Sequence, residues 1–232
     1  MSRRPGGLAA ICLALAAIPA ASQDPTSADG SDDVRVPRIG SLPDAPFATM
    51  GMKLERTIFD VDVLALTVRV DRGTAERIRE ALHGVERYDD RYEDDVAAIA
   101  IDPREAVARI DFLRGIRLDQ FLDGVVDDME KAVEASWVEP ETASTLRDSL
   151  PVWFGFLEER GIRDGDRLAY HIEGDTLRTV FWGSEERAVL LDQTDVGRQN
   201  VLALLGAYFA PGSSFREDLV ESLWKGWDPA NP

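Results

Sequence analysis

Arginines set beside apolar segments are the residues of this chain best placed to do chemistry. Arg56 precedes the first long apolar alternation, Arg69 lies within it, and Arg114 ends the run Arg109-Ile110-Asp111-Phe112-Leu113-Arg114. A guanidinium at the edge of an apolar pocket holds a carboxylate or an enolate through paired hydrogen bonds. The alternative is a surface arginine matched to one of the chain's many acids. Other chemistry finds little support. His83 falls near a predicted helix end and His171 inside a predicted strand, too far apart in the chain to suggest one metal site. Asp123, Asp127 and Glu130 share one helical stripe, but a straight helix does not wrap a calcium ion, so they read as a solvated face. Nucleophile elbow, phosphate-binding loop and paired-histidine motifs are all missing, and nothing calls for a cofactor or a metal.

The elements that must position those arginines follow from periodicity. Thr57 to Val70 alternates with apolar residues in both phases, as in a long strand covered on both faces for part of its length. Asp71-Arg72-Gly73 ends it, and Thr74 is expected to cap a helix through Leu82. A short helix follows over 93–101. After the strand at 109–114 and Gly115 comes an amphipathic helix, with Leu118, Phe121, Leu122, Val125, Met129, Ala132 and Val133 on one face. Asp119, Asp123, Asp127, Asp128, Glu130 and Glu134 fall on the other. A second helical segment runs over 141–160, where Pro151 predicts a kink or a split into two short helices. Leu168, Tyr170 and Ile172 then alternate. Gly174-Asp175 and Gly183-Ser184 turn the chain through two more strands, and helices near 196–209 and 214–224 close it. The reading is one α+β domain over 50–227, with a short tail at 228–232.

Ahead of that domain, Met1-Ser2-Arg3-Arg4 leads an apolar run from Leu8 to Ile18 and a small-residue exit, Pro19-Ala20-Ala21-Ser22. This is the pattern of a cleavable secretory signal over 1–22, cut near Ser22. The apolar core falls short of the roughly 20 residues that span a bilayer, so no integral membrane segment is expected after cleavage. Residues 23–49 are poor in bulky apolar side chains and read as a flexible acidic linker. The expected location is periplasmic or secreted. The single cysteine, Cys12, lies in the signal, so the mature chain is expected to carry no thiol chemistry. With 43 Asp and Glu against 26 Lys and Arg, the net charge is −17, which repels nucleic acid and anionic headgroups.

The order of these stretches resembles the chalcone isomerase-like superfamily over roughly residues 52–226. Phe59-Asp60-Val61-Asp62-Val63-Leu64-Ala65-Leu66-Thr67-Val68 looks like its first long strand. Ile110-Asp111-Phe112-Leu113-Arg114-Gly115 and the helix after it look like its next strand–helix unit. Gly165-Asp166-Arg167-Leu168 through Gly174-Asp175-Thr176 resembles its Gly-Asp hairpin start, and Leu204-Leu205-Gly206 its closing cover. The resemblance implies an antiparallel β-sheet covered by a helical layer, an open-faced β-sandwich with a ligand cleft between the layers. It also implies that Arg56 matches the arginine that stabilises negative charge. Asp62 stands where the family has a hydroxyl. Phe121 and Asp128 replace a tyrosine and an asparagine. A carboxylate where an anion should sit raises that anion's energy, which argues against flavonoid cyclisation.

The leading expectation is a non-catalytic module binding a small apolar or amphipathic ligand such as a fatty acid, with Arg56, Asp62, Arg114 and Phe121 as ligand-binding residues. An alternative is an isomerase (an intramolecular lyase) on an unknown substrate, with Asp62 as general base and Arg56 as oxyanion stabiliser. A third is a cell-envelope interaction protein using the linker or the aromatics Phe209, Phe215, Trp224 and Trp227; the plainer account of those aromatics is core packing.

Overall fold

The computed structural model describes residues 48–55 and 62–226, with only the backbone described for Glu55 and Asp62. Among them, six strands form one antiparallel sheet in simple sequential order: β1 (Ala48–Glu55), β2 (Asp62–Val70), β3 (Glu105–Phe112), β4 (Arg167–Glu173), β5 (Thr176–Gly183) and β6 (Ala188–Val196). Helices α1 (Arg72–Ala81) and α2 (Glu93–Ala100) connect β2 to β3, and α3 (Leu118–Glu134) and α4 (Pro140–Trp153) connect β3 to β4. Helices α5 (Arg198–Phe209) and α6 (Arg216–Lys225) follow β6.

Strand parity sorts the sheet into two faces. Register pairs Met52 with Leu66, Leu66 with Ile110, Ile110 with Leu168 and Leu168 with Phe181, so one apolar row crosses five strands. That row packs with Ile78 of α1, Val96 of α2, Val201 and Leu205 of α5 and Leu219 of α6 in one buried cluster. The described helices therefore cover a single face, as the α+β expectation requires. The opposite phase carries charge: Arg109 and Arg167 both reach Asp111, at 2.7 and 3.0 Å, and Arg178 pairs with Asp192 at 2.6 Å. His171 lies 3.3 Å from Glu105 on the neighbouring strand, a cross-strand pair. Apolar residues in both phases of β2 are explained too, since Val63 and Ala65 are buried as well as Leu64 and Leu66.

Several local expectations need correction. β1 was not expected as a strand, and it begins at Ala48, two residues ahead of the boundary read at residue 50. Its Met50, Met52 and Leu54 alternate with Gly51 and Lys53, and the Gly51 amide donates to Ser222 Oγ at 3.0 Å, tying the edge strand to α6. The N-cap of α1 is Asp71, not Thr74: the Asp71 carboxylate accepts from the amides of Gly73 and Thr74 at 2.9 and 3.2 Å, so the helix starts at Arg72. β3 starts at Glu105 and stops at Phe112, leaving Arg114 in the segment after it. α4 continues through Pro151 to Trp153, although the proline has no amide to donate to the carbonyl of Arg147. Asp128 is buried instead of solvated; it accepts from Lys131 Nζ at 2.8 Å and from the Ser214 amide at 3.2 Å, pinning α3 to the α5–α6 loop.

Candidate functional site: an apolar cavity between the sheet and α3, α4 and α5

The cavity of about 440 Å³ lies between the covered face of the sheet and helices α3, α4 and α5. Its volume falls within the range of small-molecule binding sites, roughly 300–1,000 Å³. The wall near the end of β3 is aromatic. Phe112 meets Phe121 edge-on at 5.8 Å between centroids, and Phe121 meets Phe154 at 5.6 Å. Phe121 and Phe154 line the cavity and Phe112 packs against Phe121, so this wall exists only when β3, α3 and the end of α4 are assembled. Leu54, Leu64, Ile110, Ile116 and Val125 extend it.

Arg114 enters that wall because strand parity continues past the end of β3. Ala106, Ala108, Ile110 and Phe112 all face the helices, and Arg114 is next in the same phase. Its segment is held from both sides. The Leu113 amide donates to the Val63 carbonyl at 3.1 Å, while Ile116 and Ile162 exchange two backbone bonds of 2.9 and 3.0 Å. Arg114 lines the cavity, and its Nε is buried without a hydrogen-bond partner among the described residues. No ion pair matches it to an acid there. Arg114 as a whole is half-buried, and a guanidinium with no described acid at ion-pair distance is able to pair with an anion.

The far part of the cavity is polar in another way. Tyr170 of β4, Thr179 of β5 and Tyr208 of α5 line it, with Tyr170 and Thr179 directly opposite in register. Both tyrosines have phenol pKa values pushed above the usual range. For Tyr170 the cause is burial alone; for Tyr208 it is burial, then the nearby charges of Tyr170 and Asp128. Neither hydroxyl has a hydrogen-bond partner among the described residues. Asp123 and Asp127 of α3 also line the cavity and are exposed.

Of the residues expected at the site, Arg114 and Phe121 meet at this cavity. Arg56 lies outside the described residues, and of Asp62 only the backbone, as the first residue of β2, is described. Arg69 falls on the opposite face of the sheet and has a partner. The hydroxyl cluster was missed. Tyr170 had been assigned to the apolar phase of its strand, and that phase was the available signal. Among the described residues no group of three or more His, Cys, Asp or Glu is arranged to hold a metal ion. No described helix is long and apolar enough to cross a membrane. Of the terminal aromatics, Phe209 is fully buried, Phe215 packs on Tyr208 at 5.5 Å and Trp224 on Tyr88 at 5.8 Å; Trp227 lies outside the described residues.

No protein-family model matches this chain, and neither does any curated protein. Among solved structures, the chain is similar to the crystal structure of an Arabidopsis thaliana fatty-acid binding protein, at 12% identity over 77% of this chain and 88% of that one, with a TM-score of 0.45.

Proposed function

We propose that this chain is an exported, non-catalytic binding module of the chalcone isomerase-like kind, which holds an amphipathic carboxylate such as a fatty acid between its sheet and its helices. The observation that carries the reading is Arg114, a cation without a described partner, lining a 440 Å³ apolar cavity. Apolar walls contribute affinity by removing hydrocarbon from water, at roughly 25 cal/mol per Å². A guanidinium fixes the carboxylate end by charge-assisted hydrogen bonds. The single antiparallel sheet with helices on one face, and a cleft between the layers, agrees with the architecture that the sequence resemblance implies.

The test uses Arg114→Met, which keeps the apolar stem and removes the charge. Titration with hexadecanoic acid should give an affinity about 10- to 100-fold weaker than wild type, the loss expected for a hydrogen bond to a charged group of about 1.5–3 kcal/mol. Thermal stability of the ligand-free variant should stay level, because Arg114 is half-buried and its buried Nε makes no hydrogen bond among the described residues. Unchanged affinity in the variant, or no wild-type binding to any of a series of fatty acids, would count against the proposal.

Export is part of the same reading and rests on the basic, apolar and small-residue order of residues 1–22. Mature protein recovered from its own host should begin at or next to Gln23, as read by terminal sequencing of the periplasmic or secreted fraction. Intact Met1 on the accumulated protein would remove it.

A further inference from the structure

We infer that the cavity recognises both ends of its ligand, so that the preferred occupant is a long-chain acid carrying an uncharged oxygen function, a hydroxyl or a carbonyl, at the end remote from its carboxylate. This rests on the binding-module reading and deepens it. Tyr170, Thr179 and Tyr208 come from β4, β5 and α5 and line the same cavity as Arg114. Tyr170 pairs in register with Ala108, which lies six positions before Arg114 on the continuation of β3. Along β3 from Ala108 to Phe112, at roughly 3.3 Å per residue, this sets Tyr170 about 13 Å of strand from the point after which Arg114 follows. α3 gives an independent measure: Gln120 and Met129 both line the cavity, which is about 14 Å of helix at 1.5 Å per residue. The lining along this length is mostly apolar, including Ile110, Phe121 and Val125, together with the exposed Asp123 and Asp127 of α3.

A fully apolar chain would leave the phenol hydroxyls facing hydrocarbon with nothing to bond. Buried polar groups in folded proteins are almost always hydrogen-bonded, and a site built to bond an oxygen discriminates against the analogue that lacks it. The remote group should also be neutral. Asp195 of β6, the strand beside the one that carries Thr179, lines the same cavity. A second carboxylate there would meet like charge, whereas a hydroxyl or carbonyl accepts from the phenols at no such cost.

Three probes of one chain length test this on the whole exported domain: hexadecanoic acid, 16-hydroxyhexadecanoic acid and hexadecanedioic acid, each titrated by calorimetry. The hydroxy acid should bind about 10-fold more tightly than the plain acid, one hydrogen bond's worth, and more tightly than the diacid. In Tyr170→Phe with Tyr208→Phe, the ratio of hydroxy acid to plain acid should fall to near one. Thr179→Val, which keeps the side-chain shape, gives a second variant should the double tyrosine variant not fold, and it should lower the same ratio. Equal or tighter binding of the plain acid overturns the inference and leaves the binding module standing. A ratio that survives every hydroxyl substitution also overturns it. Failure of all three acids to bind overturns both.

Discussion

Asp166→Ala should cost about 3–5 kcal/mol of unfolding free energy near neutral pH, the loss typical of removing one partner from a buried ion pair. The carboxylate is fully buried and accepts from five donors. Arg160 reaches it through both terminal nitrogens, at 2.7 and 3.1 Å. The amides of Arg163 and Ser184 add bonds of 2.8 and 2.9 Å, and Ser184 Oγ a fifth at 3.0 Å. One side chain thus ties the segment before β4 to the β5–β6 turn. The Asp166 carbonyl meanwhile accepts from the Phe112 amide at 3.0 Å, at the end of the strand that delivers Arg114. The Gly-Asp pair noticed in the sequence is explained by this junction: Gly165 adopts a positive φ of 78°, and the aspartate satisfies the turn.

Protonation should show the same contribution from the other side. Burial by itself would raise the Asp166 pKa, but the hydrogen bonds from Arg160, Ser184 and Arg163 outweigh it, and the net position is below the usual 3.8. A carboxyl depressed on folding stabilises the native state fully above its unfolded pKa, and that stabilisation is lost as the pH falls through the folded value. The gap between wild type and Asp166→Ala should therefore be widest near neutrality and shrink below about pH 4, as followed by urea denaturation over a pH series. A gap under 1 kcal/mol at pH 7, or one that does not narrow in acid, would show that the junction is held by other contacts.

Gly206→Val should cost about 1–3 kcal/mol and weaken ligand binding with it. A Cβ at Gly206 would sit 2.7 Å from the Cβ of Ala132, closer than two carbons approach without displacement. Gly206 lies on α5 between Ala203 and Ala207, both of which line the cavity, and Ala132 is on α3. The two helices can therefore relieve the clash only by moving apart where they roof the cavity. Helix propensity by itself gives the opposite sign for the smaller change, since Gly→Ala inside a helix ordinarily stabilises by about 0.5–1 kcal/mol. Gly206→Ala should nonetheless destabilise, and adding Ala132→Gly should recover most of the loss by restoring the gap. Thermal melts of the two single variants and the pair measure this coupling directly. Stabilisation by Gly206→Ala alone would mean that α3 and α5 do not meet as closely as described.

Much of the scaffold was legible beforehand because its signals are local. The three-strand meander from Arg167 to Val196 announced itself by alternation and by the Gly174-Asp175 turn. α3 showed as a stripe from Leu118 to Val133. β1 was harder, since its alternation is short and one of its anchors, the Ser222 hydroxyl that accepts from the Gly51 amide, lies 171 positions away. The helix cap at Asp71 was misassigned to Thr74 because both residue types cap helices; only the bonds of Asp71 to the Gly73 and Thr74 amides separate them. Asp128 looked like one more surface acid, because its buried state depends on Ser214 packing back from beyond α5.

From the order of residues alone came the α+β class, the faces of the strands and helices, an acidic surface and an arginine at the end of β3. Tertiary structure decided which polar groups share a cavity and which of them lack partners. Periods of two and 3.6 residues fix where a side chain points relative to its own element. Whether an acid or a hydroxyl waits opposite is set by packing between residues far apart in the chain, as where Arg114, Tyr170, Thr179 and Tyr208 come to line one cavity.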